Sequence, residues 1–150
     1  MDDQPLRKPR ADSALREYAR TGAGAEQVEV VVVHTTLEAT RHAMDTVLQL
    51  ARDLNARIRL LAPQVVPYPL PLERPPVSPR FLAEQLLPAT GALHTIVDIR
   101  LGRDLWDILK SVLVPNSLIV MGGRRWPWGE RRLAARLRQE GHNVLFVPLH

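Results

Sequence analysis

Cysteine is absent from this chain of 150 residues, which excludes disulfides, thiolate metal sites and cysteine nucleophiles. Aromatic residues supply only 5% of the sequence although 45% is hydrophobic, so the interior must be built from Leu, Val, Ile and Ala. Such an aliphatic core suits a parallel sheet covered by helices. Lysine is nearly missing as well: Lys8 and Lys110 are the only two, and arginine carries the net charge of +4. A basic balance raises the prospect of nucleic acid or acidic membrane contact. Here the arginines are spread among acids rather than gathered in one block, as arginine-rich codon usage alone would leave them. No apolar run approaches the roughly 20 residues a membrane-spanning helix requires. Asp2, Asp3, Arg7 and Lys8 interrupt the N-terminus where a secretory apolar region would lie. The expectation is a soluble cytoplasmic chain with one domain and a substantial core.

What is present falls into an ordered series. Residues 1–27 lack a sustained apolar period and read as a tail, with a short helix over Ser13 to Arg20. The domain proper is expected over 28–150. Val28 to Val33 reads as a first buried strand, and Thr35 with Glu38 three residues on reads as a capping box. Ala43, Val47, Leu50, Ala51 and Leu54 then recur at helical spacing, giving a helix over Leu37 to Leu54 that Asn55 closes. Ile58 to Ala62 is a second strand, expected to stop at Pro63. The prolines at 63, 67, 69, 71, 75, 76 and 79 make the next stretch an extended segment, a stiff connector or lid. Phe81 to Leu87 reads as a short helix and His94 to Ile99 as a third strand. A helix from Asp104, its cap, runs to Val112 through Leu105, Ile108 and Leu109. Glu130 to Glu140 is the last helix, Gly141 its stop, and Asn143 to Val147 a fifth strand.

The most informative stretch is Asn116 to Arg125. Leu118, Ile119, Val120 and Met121 are consecutive apolar residues, the pattern of a strand buried on both faces. Gly122 and Gly123 are then expected to end it, since glycine permits a positive-φ turn or a close approach. A strand, a glycine turn and a helix in that order form the place where open α/β sheets bind ligands.

Leu118 to Gly122 is similar to the text L-I-V-M-G-[ST]-R-G at the fourth strand of the universal stress protein family. The resemblance runs from about Val28 to Val147. It implies an α/β fold, Rossmann-like, with a five-stranded parallel sheet in the order 3-2-1-4-5 and helices on both faces. It also implies pairing of two chains through the fifth strand, here Asn143 to Val147. Nucleotide-binding members carry G-x2-G-x9-G-[ST] after the fourth strand and an Asp at the end of the first. Laid on this chain from Gly122, that motif meets Arg125, Ala135 and Arg136, and the Asp position meets His34. Only Gly122 matches, so the resemblance points to the branch without ATP binding.

The residues that remain at these strand ends are Gly122, Gly123, Arg124, Arg125, His34, Thr35 and Thr36. They form a candidate site for an anion or nucleotide, because guanidinium matches phosphate geometry and helix N-termini favour anions. Against this stands the reading of Arg124 and Arg125 as solvated charge, with Trp126 and Trp128 shielding the strand end. No catalytic residue is assigned: His34 lacks a nucleophile motif such as G-x-S-x-G, and a histidine hydrogen-bonded to a neighbour is the simpler reading. His42 and His94 have no metal-site company. Trp106 reads as core or interface. Arg131, Arg132, Arg136 and Arg138 oppose an apolar stripe of Leu133, Ala134 and Leu137, which reads as a solvated outer face rather than a nucleic-acid surface.

The first expectation of function is a regulatory or interaction module acting as a homodimer with a protein partner, with no cofactor and no nucleic acid. The second is a sensing domain for ATP, another nucleotide or a phosphate ligand, including a domain attached to a membrane transporter as its cytoplasmic tail. Slow ATPase activity ranks third.

Overall fold

Four valines in succession, Val30 to Val33, set the architecture, because successive side chains on a strand point to opposite faces. In the computed structural model, which describes residues 28–51, 56–90, 95–124 and 129–149, Val30 and Val32 pack into one core cluster and Val31 and Val33 into another. A strand apolar on both faces belongs at the centre of a covered sheet, and β1 (Val28–Val33) is the central strand of five. The sheet order is β3-β2-β1-β4-β5, and all four pairings are parallel. The remaining strands are β2 (Ala56–Val65), β3 (Thr95–Gly102), β4 (Leu118–Arg124) and β5 (Asn143–Leu149).

One face is covered by α1 (Leu37–Ala51), whose Ala43, Met44 and Val47 meet Val30, Ile58, Leu60 and Val120. Leu86 of α2 (Pro79–Leu86) completes that cluster. The other face carries α3 (Leu105–Val112) and α4 (Gly129–Gln139), which place Leu109, Ala134 and Leu137 against Val33, Leu61, Ile119 and Met121. Two helix ends follow the sequence reading. Asp104 Oδ2 accepts from the Asp107 N–H at 3.0 Å to cap α3. Gly141 adopts φ +96° after α4, and the His142 N–H reaches back to the Leu137 carbonyl at 3.2 Å. Arg136 and Arg138, expected as solvated charge, are both engaged. The Arg136 guanidinium lies 4.0 Å from the Trp106 ring centroid, and Arg138 donates to the Val144 carbonyl at 3.0 and 3.2 Å.

Several boundaries depart from the sequence reading, each for a physical reason. Pro63 does not stop β2, which continues to Val65 in register with β3. The His34 N–H donates to the Leu61 carbonyl, so the backbone polar groups of residue 61, and by strand alternation of residue 63, face the β1 side. β1 ends at Val33, opposite Leu61, so the N–H that proline lacks has no ladder partner to lose. α2 begins two residues earlier than expected, with Pro79 in its first turn and Ser78 as its cap. β3 extends to Gly102 because Arg100, which reads as a loop residue, lies on an edge strand and pairs with Asp98 at 2.8 Å. The capping box is displaced by one residue: the cap of α1 is Thr36, whose Oγ1 accepts from the Ala39 N–H at 3.2 Å. The tail 1–27, the close of the first helix at Leu54 and Asn55, His94, and Arg125 with Trp126 and Trp128 lie outside the described residues.

The proline-rich segment after Val65 is tied down from both sides. Arg103, just past β3, donates to the carbonyls of Val66 and Leu70 and stacks 4.1 Å from the centroid of the Tyr68 ring. Gln64 Nε2 donates to the Val77 carbonyl at 2.7 Å. These contacts make the segment a connector anchored to β2 and β3.

Candidate functional site

The sheet reverses its winding between β1 and β4, so their carboxyl ends border a crevice. A cavity of about 420 Å³ opens there. Its apolar wall is formed by Val33, Pro63, Val65, Leu105 and Leu133. Its polar groups come from the first turn after β1, His34 to Thr36, and from the start of α4, where Glu130 stands. The candidate residues His34, Thr35 and Thr36 therefore do line the crevice, and Gly122 is tied to it through Thr35. Of the predicted arginines, Arg124 ends β4 with an exposed side chain.

Thr40 organises the β1 side. It is wholly buried on α1, yet its Oγ1 lies 2.7 Å from His34 Nδ1 and accepts the Thr35 N–H at 3.2 Å. The hydroxyl has one proton and two lone pairs, so it accepts the Thr35 N–H and shares its second hydrogen bond with the imidazole, in a direction set by the ring tautomer. Burial pushes the His34 pKa below its ordinary value of 6.5, which keeps the ring neutral near pH 7. The expected histidine with a neighbouring partner is thus present, although Thr40 was not foreseen. A threonine on an otherwise apolar helical stripe was the available signal.

Thr35 spends its hydroxyl on a different strand, donating to the Gly122 carbonyl at 2.8 Å. That bond, absent from the capping-box reading, ties the end of β1 to the end of β4.

The two glycines act by close approach rather than by turning. Both lie within β4, where Gly122 pairs with Val147 and Gly123 with Pro148, and neither has positive φ. A Cβ on Gly122 would stand 2.3 Å from the Ala39 carbonyl oxygen, so the first turn of α1 rests on the glycine itself. A Cβ on Gly123 would stand 2.5 Å from Glu130 Cβ. The Glu130 side chain lies over that glycine, and its Oε1 accepts the Arg124 N–H at 3.3 Å. Glutamate in the first turn of a helix is favoured by the helix dipole. Sequence reasoning assigned Glu130 no role in the site.

The position of α4 also changes how the nucleotide motif sits on the chain. β4 ends at Arg124 and α4 starts at Gly129, so only residues 125–128 connect them. Ala135 and Arg136, where the motif requires glycine and a hydroxyl residue, fall inside α4 on its exposed side.

A solved universal stress protein in complex with cAMP has the same fold: the two superpose with a TM-score of 0.51 at 22% identity, over 80% of this chain and 95% of that one. No protein-family model matches the sequence, and no curated protein matches it either.

Proposed function

We propose that this chain is a regulatory or interaction module of the universal stress protein type, in a branch without ATP binding, that works as a homodimer. The observation that carries the first part is the short span between β4 and α4, with Glu130 folded onto Gly123 at the end of β4. A phosphate cradle needs backbone N–H groups turned toward the ligand. Here the Arg124 N–H is taken by the Glu130 carboxylate, and Gly123 is covered by the same side chain. A carboxylate in that place repels phosphate. It weighs equally against the second reading, a nucleotide or phosphate sensor built on Arg124 and Arg125, with or without attachment to a transporter. The related structure that holds cAMP keeps that reading in view, and calorimetry with ATP and magnesium separates the two. The expected result is no heat of binding in the micromolar range; a micromolar isotherm overturns the proposal.

The outer edge of β5, which no strand among the described residues pairs with, supports the dimer. The Asn143 N–H donates to the carbonyl of Ser117, just before β4, so alternation turns the backbone groups of Val144, Phe146 and Pro148 outward. An antiparallel pairing of two such edges, centred on Phe146, fits these groups. Each Phe146 exchanges two hydrogen bonds with its counterpart, and each Val144 N–H meets a Pro148 carbonyl. The Val144 carbonyl faces a proline that has no N–H to offer, and Arg138 of the same chain already donates to it. Phe146→Lys places a charge at the centre of this pairing. Light scattering is expected to show a dimer for the wild type and a shift toward monomer for the variant. A monomeric wild type at high concentration overturns the dimer.

A further inference from the structure

The crevice beside Glu130 is a cavity of about 420 Å³, room for a ligand the size of one or two fused rings. Its chemistry is one-sided. Val33, Pro63 and Leu105 give it a wide apolar wall, and Leu133 of α4 closes the opposite side. Two polar side chains line it from opposite turns. The first is the neutral His34 ring, with Nδ1 held by Thr40. The second is Glu130, which lies over Gly123 and accepts the Arg124 N–H through Oε1, while its Oε2 has no partner among the described residues. A neutral imidazole, a carboxylate acceptor and apolar walls describe a preference opposite in sign to that of a nucleotide phosphate site.

We propose that this crevice binds a small planar ligand that is uncharged or cationic, and that Glu130 sets its charge preference. The ring of such a ligand lies on the apolar wall, and an N–H or amidinium end meets Glu130. Charge-assisted hydrogen bonds are stronger than neutral ones, so the cationic end gains most. An anion of the same shape meets a fixed carboxylate instead, and the apolar wall offers it nothing in return. The proposal rests on the reading above in one respect only, that phosphate is not the natural occupant.

Benzamidine, benzamide and benzoate share one ring and differ in charge, so they isolate the effect. Each is titrated into the full chain at constant ionic strength, pH 7.5, with amide and methyl chemical shifts as the readout. The expected order of affinity is benzamidine, benzamide, benzoate, with about tenfold or more between first and last. The perturbed signals should include Val33, His34 and Leu133. In Glu130→Gln, which keeps the shape, the gap between benzamidine and benzoate should close to within about twofold. Leu133→Trp, which fills the cavity, should weaken all three probes. Equal affinity of the three probes in the wild type, an unchanged gap in Glu130→Gln, or no binding of any probe overturns the inference. A parallel titration with ATP keeps the two claims apart: tight ATP binding overturns the proposed function, whereas silence toward both ATP and the ring probes overturns only this inference.

Discussion

Thr40 holds His34: the fully buried hydroxyl on α1 lies 2.7 Å from the imidazole Nδ1 and also receives the Thr35 N–H. One side chain thereby serves both the backbone of the turn that leaves β1 and the imidazole beside it. Thr40→Val, nearly the same in shape, leaves two part-buried polar groups without that partner. The expected loss of stability is about 1–3 kcal/mol, measured by urea denaturation. A loss near zero would show that another group takes over both bonds.

His34 makes stability depend on pH in a definite direction. Its folded-state pKa lies below the ordinary 6.5 because burial disfavours the charged ring. Between the folded value and 6.5 the unfolded chain therefore binds more protons at this residue. Its contribution to stability is fully present above the unfolded value and is lost as pH falls through the folded one. The stability difference between wild type and His34→Gln should be flat above about pH 7.5 and shrink in acid, where only the wild type must charge this ring. A difference that grows in acid would contradict the assignment.

Gly122 and Gly123 should resist an added methyl for different reasons. In Gly122→Ala the new methyl meets the Ala39 backbone oxygen, which cannot move without displacing α1. A loss of about 1–3 kcal/mol is expected from overpacking. In Gly123→Ala the nearest obstacle is Glu130 Cβ, 2.5 Å away and fixed to the backbone of α4. Glu130→Gly, which removes that Cβ, should relieve Gly123→Ala in a double-mutant cycle and leave the Gly122→Ala loss unchanged. Relief of both or of neither would mean that the two glycines share some other constraint.

Arg103→Ala should loosen the proline-rich connector with little effect on the sheet. The half-buried guanidinium donates to Val66 and Leu70 and covers Tyr68, while its backbone lies beyond the last β3 pair. Limited proteolysis is expected to cut within residues 66–78 at least about fivefold faster, following the drop in local opening free energy. Unchanged cleavage would show that the Gln64 contact to Val77 is sufficient by itself.

Apolar runs, caps and stops were legible in the residues, because each depends on near neighbours in sequence. Asp104 and Gly141 act where their chemistry placed them. The strand order came from the resemblance, since two faces of buried valine look alike whichever strand lies beside them. The errors cluster where the deciding partner is remote. Thr35 and Thr36 are equally good caps on paper, and only the Gly122 carbonyl, 87 residues away, separates them. Pro63 reads as a break until the earlier end of β1 shows that its missing N–H has no partner to lose. Glu130 carried no signal at all, since its role depends on only residues 125–128 separating α4 from β4.

The outward groups of β5 also bear on how far association can proceed. Between the Val144 carbonyl, which Arg138 already serves, and Pro148, which has no N–H, the edge offers the amide donors of Val144 and Phe146. Two donors cannot template a long ladder. A sheet of many strands grows into a fibril when each newcomer presents a fresh, fully armed edge. A strand that meets β5 antiparallel exhausts this one, so association there terminates instead of propagating.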